Sequence, residues 1–219
     1  MTLALYAHPF SSYCQKVLVA LYENNTAFEF RFLGSDQPER VAEVEALWPL
    51  KRFPVLLDGG TPVVEASIII EHLDLHYRGS VRLLPADGPT ALGVRMMDRF
   101  FDNYIMTPMS KLVSDRIRPA ESRDPYGVAE ARTLLDTAYR WLDGTLADRT
   151  WAAGSSFSLA DCAAAPSLFY ADWAHEIGPK LTHVRAYRAR LLARPSFARA
   201  VDEARPYRRL FPLGAPDRD

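Results

Sequence analysis

Two textures of hydrophobic spacing divide the chain near residue 80. In the first part, short apolar runs alternate with stretches of helical period. Leu3 to Tyr6 is a compact apolar run, His8-Pro9-Phe10-Ser11-Ser12 reads as a loop, and Cys14, Val17, Leu18, Leu21 and Tyr22 then recur at helical spacing. Asn24-Asn25 ends that helix. Phe28 to Phe32 alternates aromatic and charged residues as a half-buried strand does, and Pro38 to Leu47 predicts a short, irregular helix. Phe53-Pro54 opens the run Val55-Leu56-Leu57, the turn Asp58-Gly59-Gly60 follows, and Thr61-Pro62-Val63-Val64 completes a hairpin. A proline in the second arm puts that strand at a sheet edge or makes it the strand's first residue. Ile68, Ile69, His72, Leu73 and His76 mark one face of a further helix that ends near Tyr77-Arg78-Gly79. The predicted order is βαβαββα.

Leu84-Pro85-Ala86-Asp87-Gly88-Pro89 has the composition of a linker, and every long segment beyond it reads as helix. The division expected is residues 1–83, a linker at 84–90, and an all-helical part at 91–219. Ala91 to Ser114 predicts one helix that Pro108 bends or breaks. From Val128, apolar residues step by three and four as far as Leu146. Ser158-Leu159-Ala160-Asp161 places a hydroxyl three positions before an acid at the head of an apolar run, a capping-box spacing with Asp in place of Glu or Gln, flanked by Phe157 and Cys162 at staple positions.

Composition adds exclusions. Of 219 residues, 48% are hydrophobic and 24% charged, an ordinary globular balance that argues against disorder or a rod. With 26 Lys+Arg against 27 Asp+Glu the net charge is -1, so no broad field calls for nucleic acid or an anionic membrane. The N-terminus has no cationic leader followed by an apolar run, and no window is long enough to span a bilayer. Two cysteines, Cys14 and Cys162, are too few for a disulfide framework. The expected location is the cytoplasm.

Candidate chemistry is sparse. The eleven glycines form neither a G-x-G-x-x-G nor a P-loop pattern. His72 and His76 share a helix face, but no third metal ligand is marked, and an exposed helix face explains them equally. Ser11-Ser12-Tyr13-Cys14-Gln15-Lys16-Val17 straddles the entry to the first helix. The opening turn of a helix leaves N–H groups unpaired and carries about half a positive charge, so a thiolate is stabilised there. Ser11 or Ser12 serves equally well as a plain N-cap.

The order βαβαββα, a linker and a helical half, with Ser-Ser-Tyr-Cys at the first helix, Phe53-Pro54 before a hairpin strand and Ser158-Leu159-Ala160-Asp161 downstream, resembles a cytosolic glutathione S-transferase of bacterial type with serine at the thiol-activating position. The resemblance implies a thioredoxin-like domain that binds glutathione as co-substrate, an all-helical domain that supplies most of the second-substrate pocket, a homodimer, and no tightly bound cofactor. It makes Ser11 the catalytic residue facing the glutathione sulfur. It makes Phe53-Pro54 the cis-proline pair whose first member meets the cysteinyl backbone. Glu65-Ala66 matches a Glu/Gln-Ser pair that holds the γ-glutamyl group; here the serine is alanine, and Ser67 is the candidate to replace its hydroxyl. Arg52 stands near the glycyl carboxylate.

A serine hydroxyl does not act as a base at neutral pH, but it donates a hydrogen bond to S⁻, so Ser11 is expected to stabilise and orient the thiolate. Cys14, with Ser12 beside it, admits two readings. It is either a buried packing residue or a thiol able to form a mixed disulfide with glutathione, since Ser11-x-x-Cys14 is similar to the Cys-x-x-Cys of glutaredoxins without its first thiol. Met96, Met97, Phe100, Phe101, Tyr104, Met106 and Met109 enrich the fourth helix in soft and aromatic side chains. With Phe10, Phe101 and Tyr104 are the candidates for an electrophile pocket. The expected activity is transfer of glutathione to small apolar electrophiles. The alternatives are a glutathione-dependent disulfide reductase or isomerase, and a non-catalytic glutathione-binding or interaction protein, which the Ala66 departure favours.

Overall fold

The computed structural model describes residues 3–219. Its first part contains β1 (Leu3–Ala7), α1 (Ser12–Glu23), β2 (Glu29–Phe32), α2 (Pro38–Leu47), β3 (Val55–Asp58), β4 (Thr61–Val64) and α3 (Ala66–His76). The four strands form one sheet in the order β2-β1-β3-β4, with β1 parallel to β2 and antiparallel to β3, and β3 antiparallel to β4. Central β1 is buried along its whole length, which is why its sequence is apolar without alternation. Pro62 lies on edge strand β4, where its missing N–H leaves no partner strand unpaired.

The sheet is covered on both faces. Leu3, Leu5 and Ala7 point into the main core with α1 and α3, while Tyr6 and Val55 point the other way against Val44, with Leu47 and Trp48 packed beside them. On α3 the buried face is Ala66, Ile69, Ile70 and Leu73; Ile68, expected inward, is 54% exposed. The one-residue rotation arises because two cores meet this helix, the sheet on one side and the helical half on the other.

The second part holds α4 (Gly88–Phe100), a π-helical segment (Phe101–Met106), α5 (Thr107–Ile117), α6 (Pro125–Thr145), α7 (Leu159–Ala174), α8 (Thr182–Leu192), α9 (Pro195–Ala204) and a closing 3₁₀ segment (Arg205–Leu210). The chain is thus a thioredoxin-like domain followed by an all-helical one. The helix expected from Ala91 to Ser114 is not simply broken at Pro108. Proline offers no N–H to the turn before it, and the chain widens over Phe101–Met106, so that Thr107 reaches back to the Asp102 carbonyl. Pro108 then falls in the first turn of α5, where no N–H is required.

Helix α7 is apolar all round and almost wholly buried, which a helix tolerates only at the centre of a bundle. Its capping box forms: Asp161 accepts from the Ser158 N–H at 2.9 Å and the Ser158 hydroxyl at 3.1 Å. It also accepts from the Ala152 N–H at 2.8 Å and the Tyr187 hydroxyl at 2.6 Å. Helix α1 is clamped between the two parts, packing on α3, α7 and α9, with Arg194 forked onto Glu23 at 2.6 Å through both nitrogens.

Candidate active site

A cleft of about 440 Å³ opens where the two parts meet. Its floor is the entry to α1, with Ser11 and Tyr13. One wall is the loop from Trp48 to Pro54, and another is the Glu65-Ala66 corner. The far side is Arg99, Asp102 and Asn103 from the helical half. Every glutathione-site residue expected from the sequence except Ser67 lies on this cleft: Arg52, Phe53, Pro54, Glu65 and Ala66.

Two helices begin at the cleft. Neither α1 nor α3 has an acidic residue in its first turn or a side-chain cap, so no internal anion satisfies their leading N–H groups. Both therefore present partial positive charge to whatever occupies the space. The Phe53-Pro54 peptide is cis. Lys51 and Glu65 are non-glycine residues held at φ 55° and 71°, conformations that cost of order 1–3 kcal/mol and persist where surrounding structure enforces them. Two strained residues on the walls of one cleft mark it as a site.

Beneath the cleft lies a charged cluster that ties the parts together. Lys16 of α1, 1% exposed, reaches Asp102 at 2.8 and 3.0 Å and the Ser67 hydroxyl at 2.9 Å. Its ammonium also stands 2.6 Å from Asp98 Oδ1, an ionic contact without directed hydrogen-bond geometry. Arg99 closes the cluster at 2.7 Å from Asp98 and 2.6 Å from Asp102. Burial pushes the Asp102 carboxyl above its ordinary value, and the Lys16 charge opposes that. Burial, then the neighbouring Asp102 charge, push Tyr13 up to about 12, so at neutral pH its phenol faces the cleft as a neutral donor.

Ser67 is a correction. Its hydroxyl donates to Asp98 at 2.8 Å and accepts from Lys16 and Arg99, so it is committed to the cluster below the cleft and does not stand in for the hydroxyl missing at Ala66. The cause is helical geometry: the next position along the first turn of α3 points about 100° away from the cleft.

Ser11 is the N-cap residue of α1, with extended backbone, and its carbonyl accepts from Gln15 N at 2.9 Å while its side chain makes no cap bond. It lines the first cleft and also a second, of about 280 Å³, where Phe10 and Ser12 meet Met109, Val113 and Tyr170. Cys14 is fully buried. Burial pushes its thiol up to about 12, and hydrogen bonds from the Ser11 hydroxyl and the His8 backbone pull the other way. A sealed, protonated thiol does not reach a glutathione disulfide, so of the two readings of Cys14 the buried packing residue stands and the redox thiol is corrected.

Two expected electrophile residues are also corrected. Phe101 is wholly buried and Tyr104, 50% exposed, packs outside on Phe100; neither lines either cleft. The π-helical widening sets their directions, and a regular helical wheel does not foresee it. Phe10 does line the second cleft, edge-on to Tyr170 with centroids 5.3 Å apart. Sequence reasoning assigned no role to Tyr13, Trp48, Lys51, Arg99, Asp102 or Asn103. The basic pair Lys51-Arg52 before Phe53-Pro54 was a usable signal; Arg99, Asp102 and Asn103 carry none, because they arrive from across the domain junction. His72 pairs with Asp58 at 2.8 Å, and among the described residues no group of three or more His, Cys, Asp or Glu side chains converges as a metal site.

Family models match most of the chain: the glutathione S-transferase N-terminal domain over residues 5–81 and its C-terminal domain over residues 105–195. The chain belongs to the glutathione S-transferase family. A probable glutathione S-transferase of Nicotiana tabacum is 32% identical over 114 residues, 52% of this chain and 47% of that protein, so the match spans about half of that relative. Glutathione S-transferase U7 of Arabidopsis thaliana is 28% identical over 84% of this chain and 76% of its own length. Among solved structures, a glutathione S-transferase from Methylobacillus flagellatus with glutathione bound superposes with a TM-score of 0.82 at 25% identity, covering 91% of this chain and 98% of that one. A glutathione S-transferase from Methylobacterium radiotolerans in complex with glutathione sulfonate gives 0.79 at 29% identity, covering 92% and 95%. Among the described residues no helix is long and apolar enough to cross a membrane.

Proposed function

We propose that this protein is a glutathione transferase that binds glutathione as co-substrate, stabilises its sulfur as thiolate at Ser11, and delivers it to small apolar electrophiles, acting as a cytoplasmic homodimer without a tightly bound cofactor. The observation that carries the reading is the position of Ser11 where an apolar cleft meets a cleft into which two uncapped helix N-termini open. The γ-glutamyl carboxylate belongs at the first turn of α3 with Glu65 holding its ammonium, the cysteinyl backbone at Phe53, and the glycyl carboxylate between Arg52 and Lys51.

A free thiol titrates near 8.5, so only a few per cent is ionised at neutral pH. Lowering that by about two units requires about 2.7 kcal/mol of preference for S⁻. One charge-assisted hydrogen bond from Ser11, about 1.5–3 kcal/mol, with the α1 terminus at about 0.3–1 kcal/mol, is of that size.

Ser11→Ala tests the assignment. With glutathione and a chromogenic aryl halide, kcat/KM is expected to fall by about tenfold to a hundredfold, and the ultraviolet titration of bound thiolate to move up by about one to two units, with glutathione affinity little changed. Undiminished turnover in that variant would remove Ser11 from the mechanism. The disulfide-reductase alternative loses support because Cys14 is sealed. The non-catalytic alternative retains Ala66 in its favour, since the Ser67 hydroxyl is committed to Asp98 and does not replace the missing one; it predicts glutathione binding weaker than millimolar.

A further inference from the structure

A cavity of about 290 Å³ opens between the end of α7, the loop that follows it, α8 and residues 218–219, and it shares no lining residue with either cleft at Ser11. Its charged lining is Asp172 of α7, Glu176 of the loop, Arg185 and Arg188 of α8, and Arg218 and Asp219.

Three arginines face three acids there, yet the acceptors are largely spent and the donors are not. Asp172 Oδ1 accepts the Ile177 N–H at 2.8 Å, and Oδ2 accepts from Arg218, whose other terminal nitrogen reaches the Asp172 carbonyl at 3.2 Å. Asp219 is forked onto Arg205 at 2.9 and 2.5 Å and meets Arg208 at 2.9 Å, and neither of those arginines lines the cavity. Glu176 is exposed, where solvent and salt screen its charge. On the donor side, Arg185 gives one nitrogen to the Ile177 carbonyl at 3.0 Å.

Arg188 departs from this pairing. Its side chain is 12% exposed, and its Nε and Nη2 are closed to solvent without a hydrogen-bond partner among the described residues. Nη2 stands 3.3 Å from Asp172 Oδ2, an ionic contact to an oxygen that Arg218 already occupies. One carboxylate between two guanidiniums leaves positive charge uncompensated, and a buried charged donor without a partner is costly. Burial lowers the Arg188 pKa; Asp172 opposes this, and the like charges of Arg218 and Arg185 add to it.

Nε and Nη2 share one edge of the guanidinium, the edge that meets two oxygens of a carboxylate or phosphate in parallel. No directed hydrogen bond holds that edge, so a turn of the guanidinium presents it to the cavity and gives up only the 3.3 Å contact. The volume suits a compact charged group better than a drug-sized ring system.

We propose that this cavity binds a small oxyanion, a carboxylate or phosphate group, gripped by the fork of Arg188 with Arg185 and Arg218 as its further cationic lining. Binding there does not depend on the transferase reading.

The probe is inorganic phosphate, titrated calorimetrically against the full chain in chloride buffer with glutathione absent, and succinate is titrated in parallel as the carboxylate probe. Saturable binding is expected, and the tighter of the two assigns the ligand group. Arg188→Gln is expected to weaken it about tenfold or more, the worth of a charge-assisted pair of hydrogen bonds, and the exposed Arg185→Gln about threefold. Arg190→Gln, on α8 but outside the cavity, is expected to leave it unchanged. The urea midpoint of each variant reports that it is folded; should Arg188→Gln not fold, Arg185→Gln decides the question. The proposal is overturned if neither probe binds the wild-type chain, if Arg188→Gln folds and binds as the wild type does, which would place the anion elsewhere, or if Arg190→Gln weakens binding as much as the cavity variants, which would mark diffuse attraction to the surface.

Discussion

At the scale of single residues, the two cysteines show how burial decides chemistry. Both are fully buried, and desolvation of the charged form raises Cys14 to about 12 from an ordinary 9.0 and Cys162 well above that ordinary value. A chromogenic disulfide reagent at pH 8 is expected to label no thiol in the native protein and two in urea. The same shifts set a sign for stability against pH. The folded state keeps both thiols protonated while the unfolded chain ionises them, so their contribution is intact below pH about 9 and is lost as pH rises past that value, for Cys14 up to about 12. Each pH unit past the unfolded value costs up to about 1.4 kcal/mol per thiol. Urea midpoints should fall between pH 8 and pH 10 and flatten in the Cys14→Ala, Cys162→Ala double variant; an unchanged slope would mean the thiols are not desolvated.

At the scale of elements, caps and a widened turn matter more than propensity. The Ser158–Asp161 box was legible as spacing, since both partners lie within one turn. That Asp161 also holds Ala152 N and the Tyr187 hydroxyl was not, because those donors come from the preceding loop and from α8. Asp161→Ala strips four buried donors at once, and a loss of about 3 kcal/mol or more in urea unfolding is expected; a loss under about 1 kcal/mol would show that water replaces the carboxylate. The π-helical segment is the opposite situation. Pro108 announced an interruption, but where the extra residue is absorbed depends on Asp98 and Asp102 being drawn to Lys16 and on the packing of Phe101, none of which is local.

At the scale of the molecule, the outer face of α3 and α4 carries exposed apolar side chains. Ile68 and Leu75 flank Glu71 on α3, Leu92 and Met96 flank Arg95 on α4, and Arg95 forks onto Glu71 at 2.7 and 2.8 Å, so the four apolar residues share one face. They are 54%, 61%, 68% and 49% exposed. An apolar patch of this kind with an ion pair in its middle suits a second copy of the chain. Light scattering is expected to give twice the mass of one chain, and Ile68→Glu with Leu92→Glu to halve it; a monomeric wild-type protein would contradict the dimer.

The sequence by itself determined the elements whose signals are local: the hairpin at Asp58-Gly59-Gly60, the edge position of Pro62, the helix starts at Ser12 and Leu159, and the cleft residues Ser11, Arg52, Phe53, Pro54, Glu65 and Ala66, which lie at the ends of those elements. Tertiary structure alone decided which way α3 and the π-helical segment turn, and so why Ser67, Phe101 and Tyr104 leave the site while Tyr13, Arg99 and Asp102 enter it. A cavity of about 650 Å³ that has both His8 and Tyr207 in its lining is likewise invisible in the sequence, because nearly two hundred residues separate its walls. Spacing along a chain fixes the angle between near neighbours on one helix or strand; which face is covered depends on what the rest of the chain brings against it.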